Sequence, residues 1–331
     1  MIGILKKFAS VLLRVGTSIV LLFFIFRNID KKSLFTIIKN ADKPLLFLAF
    51  CIFFCGYVLC LLRWKMLLSA LKIHLPLKRV IISFSGGIFF SLFLPSTIGG
   101  DFMRSIDLAA HTKRPKDVVA TVLLDRLSGY TGLVSLALIS IIFGWQFVQD
   151  RSILISVGII TGVLVAVLLV LFNKFAYTRI NRLLHSPRAG KIRESIKNLH
   201  QEIHYFKHHK KVIIKNLILS LIIQITAPLT FFVVALSLGL KIKLLYFFIF
   251  LPIISAITLL PISIGGLGLR DATAIFFFAK VGVVKNLSLA LSLINFFFIL
   301  ICGALGGLIY VLTLHYRRIQ HHKPSALHTP T

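Results

Sequence analysis

Residues 95–104 read PSTIGGDFMR, and residues 261–270 read PISIGGLGLR. Pro95, Ile98, Gly99, Gly100 and Arg104 recur as Pro261, Ile264, Gly265, Gly266 and Arg270, each 166 residues later in a chain of 331. Both stretches interrupt a long apolar run with a proline, a glycine pair and a guanidinium. Non-helical backbone at membrane depth is tolerated only where protein buries it or where it lines a cavity. The pair therefore predicts two broken helices beside a polar cavity. Proline removes a helix hydrogen bond, and glycine reaches backbone geometries closed to other residues. Pro95, Gly99, Gly100, Pro261, Gly265, Gly266 and Gly268 are thus the expected positions of helix breaking and close backbone approach.

Outward from these motifs, stretches near the roughly 20 apolar residues that a span requires lie at 8–26, 44–62, 78–95, 118–144, 152–172, 212–238, 244–261 and 284–312. A shift of 166 carries 44–62, 78–95 and 118–144 onto 210–228, 244–261 and 284–310. The chain reads as two membrane repeats, 1–172 and 212–316, joined by a linker, 173–211, with a polar tail, 317–331. Composition agrees: 57% of residues are hydrophobic and 15% charged, against about 25% charged in soluble domains, and the mean hydropathy is +0.93. The expected fold is all-α, a polytopic membrane helical bundle with about eight hydrophobic segments, two of which (78–117 and 244–286) are re-entrant or broken.

Two topologies are open. If every segment crosses, 22 Lys/Arg lie on the linker side and 13 on the N-terminal side, which puts the N-terminus outside. If 78–117 and 244–286 dip in and return, 24 lie on one side with both termini and the linker, and 11 on the other. The termini are then cytoplasmic, and each half crosses three times, so the halves are inverted. The glycine pairs favour the second topology.

The chain carries 38 Lys+Arg against 10 Asp+Glu. The excess sits in short connections, which fits contact with anionic lipid headgroups, and no nucleic-acid recognition module accompanies it. Residues 173–211 hold ten Lys/Arg and two Glu, and Ile192, Ile196, Leu199, Ile203 and Phe206 share a helical face. That pattern predicts an amphipathic helix on the membrane surface, binding anionic headgroups; residues 33–40 predict a shorter one. The first apolar run is read as a retained helix in which Arg14 can snorkel. Cys51, Cys55, Cys60 and Cys302 are expected as small buried hydrophobes, and His200, His204 and His208 as solvated surface. No metal site and no cofactor are expected.

Asp101, Arg104 and Asp107 are spaced by three. A helix beginning after Gly100 would put Asp101 in its first turn and all three near one face. Asp125 and Arg126 lie two turns into an apolar helix, and their counterparts, Leu291 and Ser292, are uncharged. Ionisable groups inside a membrane segment are costly and tend to be functional. Two readings remain. Asp125 or Asp101 pairs with Arg270 and locks the bundle. Alternatively Arg104, Arg126 and Arg270 present guanidinium donors to a phosphate, while Asp101, Asp125 and Asp271 orient them or engage a cationic headgroup. The glycines of the second motif lack the Lys-Ser/Thr of a P-loop and no strand precedes them.

LPSTIGGD with Arg104 (94–104), LLDRLSG (123–129), PISIGGLGLRD (261–271) and LLRWKMLL (61–68) together resemble the flippase-like family named after the lysylphosphatidylglycerol synthase transmembrane region. The likeness covers about residues 8–312. It implies an integral protein of the bacterial cytoplasmic membrane that moves lipid between leaflets. Some members are fused to a cytosolic domain that makes lysyl- or alanyl-phosphatidylglycerol, and others resemble factors in hopanoid or lipid-linked glycan pathways. This sequence ends at Thr331 without such a domain, and has Asp271 where the motif often carries Glu. The expectation is a non-enzymatic binder and translocator of a phospholipid or lipid-linked substrate, with no catalytic residues, working beside a separate lipid-modifying enzyme. A non-transporting scaffold in an envelope pathway and a membrane-embedded lipid-phosphate transferase or hydrolase are the alternatives.

Overall fold

The computed structural model describes residues 2–27, 29–94, 97–112, 114–144, parts of 154–166, 210–259, 263 and 266–321. Pro95, Pro261, Gly265, the linker up to residue 209 with its histidines, most of 152–172 and the tail from 322 lie outside the described residues. Among those described the chain is helical and has no strand: α1 (Ile2–Arg27), α2 (Lys31–Lys39), α3 (Lys43–Ala70), α4 (Leu77–Phe93), α5 (Thr97–Thr112), α6 (Pro115–Gly144), α7 (Lys210–Ser237), α8 (Leu244–Thr258), α9 (Leu269–Ala279) and α10 (Lys285–His321).

Within α3, α6, α7 and α10, the stretches Lys43–Ala70, Pro115–Gly144, Lys211–Ser237 and Lys285–Thr313 are long and apolar enough to cross a membrane. Their outward side chains, Phe47, Phe143 and Phe297 among them, are exposed phenyls, as a face toward hydrocarbon requires. The fold is an all-α polytopic membrane bundle. By contrast α4 has 17 residues, α5 16, α8 15 and α9 11. At about 1.5 Å per residue none reaches across a hydrocarbon core of about 30 Å.

The short helices form two antiparallel hairpins. Arg79, in the first turn of α4, reaches Asp107 near the end of α5 at 2.8 Å. Near the tip, a Cβ on Gly100 would lie 1.9 Å from Ser91 Oγ and 2.2 Å from the Gly87 carbonyl, so only glycine lets these two backbones touch. In the second hairpin Phe247 stacks near Phe278 (5.3 Å) and Phe250 near Phe277 (5.6 Å). Gly268, at φ +77°, turns the chain into α9, and its amide donates to the Asp271 carboxylate at 3.0 Å.

The hairpins open toward opposite ends of the bundle. At one end the close of α3 (Trp64, Leu67, Leu68), the start of α4 (Val80), Leu108 of α5 and the start of α6 (Val118, Val122) form one apolar cluster against Val212 and Ile213 of α7. At the other end Ala49 of α3 and Ile141 of α6 join the end of α7, the hairpin α8–α9 and the start of α10. Thus α3 and α7 run antiparallel, with Gly56 against Thr226 and Arg63 against Ser220. One leg of each hairpin crosses to the other half, α4 packing on α10 and α8 on α6. The amphipathic α2, capped by Asp30, which accepts from the Lys32 amide, lays Leu34 against Leu289 and Ala290 of α10.

Four expectations need correction. Helix α3 does not stop at residue 62: it continues to Ala70 and buries Arg63 and Trp64, because the Asp125 carboxylate and the Ser220 hydroxyl that face Arg63 offset the cost of burying it. Helix α5 begins at Thr97, ahead of the glycine pair. Gly99 and Gly100 are therefore helical contact positions, and Asp101 sits past the first turn. Asp107 pairs with Arg79 rather than Arg104. Cys51 and Cys55 are exposed, Cys60 is intermediate, and only Cys302 is buried.

Candidate functional site: a charged cavity at the hairpin tips

A cavity of about 480 Å³ lies where the two hairpin tips meet. Ser91, Leu92 and Asp101 from the first tip and Leu259 and Leu267 from the second line it, with Tyr57, Cys60 and Arg63 of α3, Asp125, Arg126 and Tyr130 of α6, Gln224 of α7 and Phe296 of α10. The residues beside both glycine motifs thus share one cavity wall, as the motif pair predicts.

Its charges form a single network. Arg63 donates from Nε to Asp125 Oδ1 at 2.8 Å and from Nη1 to Ser220 Oγ at 2.9 Å. Arg104 Nη2 donates to Asp125 Oδ2 at 2.9 Å and lies 3.0 Å from Asp101 Oδ1. Arg126 donates through Nε to Asp101 Oδ2. The Arg104 guanidinium lies over the Trp64 ring, 4.7 Å from its centroid, and the Trp64 indole N–H donates to Thr121 at 3.2 Å. Three helices of the first half, α3, α5 and α6, and α7 therefore position these groups. Asp125 bridges two guanidinium groups, so removing it leaves Arg63 without a carboxylate and Arg104 with Asp101 alone in a low-dielectric interior, where an unpaired charge is costly.

The network is not neutral, and its members differ in exposure. The described charged residues on the cavity wall are three arginines and two aspartates, a surplus of one positive charge. Arg104 Nε is buried and has no hydrogen-bond partner in the structure. Arg126 has the most open side chain of the network, 33% exposed against 5–12% for Arg63, Arg104, Asp101 and Asp125. Among the described residues no cluster of His, Cys, Asp or Glu could hold a metal ion.

The sequence pattern of the lysylphosphatidylglycerol synthase TM region matches residues 11–307, a stretch that includes every residue of the cavity. The chain belongs to that family. No curated protein matches it. For this member of the lysylphosphatidylglycerol synthase TM region family, membership and the four long apolar helices make the chain an integral membrane protein with a lipid-related role.

Of the residues expected from sequence, Asp101, Arg104, Asp125 and Arg126 come together. Arg270 and Asp271 do not line the cavity. Arg270 donates to Ser292 Oγ at 3.0 Å, lies 3.4 Å from its neighbour Asp271, and sits over the Phe296 ring at 5.3 Å. Phe296 is the side chain that reaches the cavity. Neither Asp101 nor Asp125 pairs with Arg270, so the expected cross-half ion pair is replaced by pairs within the first half. Asp271 closes α9 locally, accepting from the Gly268 amide and from Ser292.

Sequence reasoning missed Arg63, Tyr57, Ser220 and Gln224. Arg63 had a usable signal. It lies in LLRWKMLL, among apolar residues at helical spacing, where a span drawn by charge alone stops one residue early. The other three are uncharged and alternate with apolar neighbours, so no sequence signal marks them. The second half contributes Gln224, whose amide donates to the Gly129 carbonyl at 2.9 Å, rather than an arginine.

Proposed function

We propose that this protein binds a phospholipid or lipid-linked substrate in the cavity and carries it between leaflets, with the anionic phosphate of the headgroup held by Arg104 and Arg126 and backed by Arg63. The observation that carries the reading is the surplus positive charge on the cavity wall together with the partly open side chain of Arg126 there. Guanidinium forks suit phosphate because their planar donors can make paired, charge-assisted hydrogen bonds. Asp101 and Asp125 hold the guanidinium groups in place before the anion arrives. The 166-residue offset between matching elements and the opposed hairpins support an inverted repeat. Such a repeat suits alternating access, in which one half rocks against the other around a fixed site near the midplane.

On this reading the chain moves its substrate without changing it chemically, sits in the bacterial cytoplasmic membrane, and keeps both termini and the basic linker on the cytoplasmic side. The test is a leaflet-sidedness assay in proteoliposomes with a fluorescent phosphatidylglycerol. Arg104→Gln should slow exchange at least tenfold relative to wild type. Equal rates would remove the cavity from the mechanism, and a chemically altered lipid would make the protein an enzyme.

One observation favours a second reading, a scaffold that does not transport. Asp125 already satisfies two arginines, as a lock on the bundle would. A lock predicts that Asp125→Asn weakens the fold while the folded fraction shows no lipid-exchange activity to lose.

A further inference from the structure

A second cavity lies on the lipid-facing side of the bundle. It is an apolar groove of about 610 Å³ between α3 and α10, with Ile38 of α2 at its edge, and every residue lining it is aliphatic or a phenylalanine. Phe47 and Phe297 on its walls are 69% and 59% exposed. The groove and the charged cavity share both walls. On α10 the groove takes Leu293, Ile294, Phe297 and Phe298, while the cavity takes the neighbouring face, Phe296, Ile299 and Leu300. On α3, Leu46, Phe50, Phe53, Tyr57 and Cys60 step by four, three, four and three along one face. That stripe begins in the groove at Leu46 and Phe50 and ends in the cavity at Tyr57 and Cys60. A chain of aromatic rings runs from the groove to the cavity: Phe298 meets Phe50 at 5.4 Å and Phe53 at 5.8 Å, and Phe53 meets Tyr57 at 5.2 Å.

The matching seam in the other half is closed. Positions 166 residues apart pair Phe50 with Asn216, Phe54 with Ser220, Ser128 with Ile294 and Gly132 with Phe298. Between α6 and α7, Asn216 donates to Ser128, Gln224 donates to the Gly129 carbonyl, and a Cβ on Gly132 would lie 2.9 Å from the Ser220 backbone. Small and polar residues draw that seam shut, as they do wherever membrane helices approach closely. Between α3 and α10 the same positions carry phenylalanine and isoleucine, which hold the helices apart. A partner helix would need small residues to pack there, and the groove has none. Its chemistry suits a flexible hydrocarbon chain, and its volume falls within the roughly 300–1,000 Å³ of ligand sites.

We propose that the α3–α10 seam is the lateral portal of the protein: the groove binds one hydrocarbon chain of the lipid whose headgroup enters the charged cavity, and Phe53, Tyr57 and Phe298 form the partition between tail and headgroup. The sealed α6–α7 seam offers no equivalent berth, so lipid approaches from one side of the bundle. This rests on the anionic-headgroup reading above for the identity of the lipid, and on the groove alone for the berth of the chain.

The experiment uses the full chain in phosphatidylcholine nanodiscs doped with phosphatidylglycerol carrying a photoactivatable group midway along one acyl chain, with the adducts mapped by mass spectrometry. A diacylglycerol bearing the same chain serves as the headgroup-free probe. Ile142 and Phe143, exposed on α6 at 72% and 76%, report contact with bulk lipid. Adducts at Phe47, Phe50 and Phe297 should exceed those at Ile142 and Phe143 at least threefold and should saturate. The phosphatidylglycerol probe should outperform diacylglycerol in wild type but not in Arg104→Gln. Saturable groove labelling that is equal for both probes keeps the berth and overturns the headgroup reading. Labelling of the groove no stronger than that of Ile142 and Phe143 overturns the portal, whatever the headgroup dependence.

Discussion

Arg104 meets Asp125 at 2.9 Å, whereas Arg270, 166 residues further on, meets the hydroxyl of Ser292 at 3.0 Å. Ser292 lies one position past the counterpart of Asp125. The two arginines occupy matching places in the two hairpins, and each reaches the long helix that follows it. A carboxylate answers the first and a hydroxyl the second, and only the first faces the cavity. Arginines at matching positions of the two motifs thus meet different partners, and only the first belongs to the charged site.

Asp125→Asn should destabilise the protein strongly, because it removes the anion shared by Arg63 and Arg104. Breaking a buried ion pair from one side costs about 3–5 kcal/mol. The thermal midpoint in detergent should fall clearly. Adding Arg63→Gln should recover part of the loss, since one stranded charge then disappears. Additive losses in the double variant would show that the two side chains are not coupled.

Gly100→Ala should loosen the first hairpin. The added methyl would meet backbone at Gly87 and the Ser91 hydroxyl, and overpacking of this kind costs about 1–3 kcal/mol. Gly16→Ala, where a Cβ would meet nothing within 4 Å, is the matched control and should be neutral or slightly stabilising. Unfolding of both variants in detergent, followed by tryptophan fluorescence, makes the comparison.

Arg270→Gln should separate stability from binding. Arg270 is tied to Ser292 and Asp271 and stays off the cavity wall, so its loss should lower the melting temperature and leave the affinity for anionic lipid within about twofold of wild type. Arg104→Gln should show the reverse emphasis, with binding lost by tenfold or more. Titration of fluorescent phosphatidylglycerol against both variants reads the difference.

The hairpins make a topological prediction. In a background free of Cys51, Cys55, Cys60 and Cys302, cysteines at Pro76 and Thr112 should react with an impermeant thiol reagent from the same side. Cysteines at Lys241 and Gly282 should react from the opposite side. Reaction of Pro76→Cys and Thr112→Cys from different sides would mean that α4 and α5 together cross the membrane.

Much of this was legible in the sequence because polar residues inside apolar runs are expensive and therefore conspicuous. The matched glycine motifs marked both hairpins, and Asp101, Arg104, Asp125 and Arg126 stood out by charge alone. What stayed hidden depended on context. Arg63 sits near the end of a long helix, where charge usually marks the interface, and only the facing carboxylate of Asp125 reveals its burial. Arg270 matched Arg104 in motif but not in surroundings, since the partner that draws a side chain toward a cavity lies on another helix. The glycine pair read as a break, yet Gly99 and Gly100 lie within α5. Spacing marks where backbones approach, not whether the helix continues through the approach.

The exchange of packing partners between halves bears on how the protein is made. Helix α4 rests on α10, where a Cβ on Gly306 would lie 2.7 Å from the Ser85 carbonyl. During synthesis α4 emerges roughly two hundred residues before the helix that covers it. For that interval the side of α4 that carries Ser85 and Gly86 lacks its α10 neighbours, Gly306 and Tyr310. A nascent chain released before α10 should therefore be degraded or held by the insertion machinery, and full-length synthesis becomes a checkpoint for biogenesis.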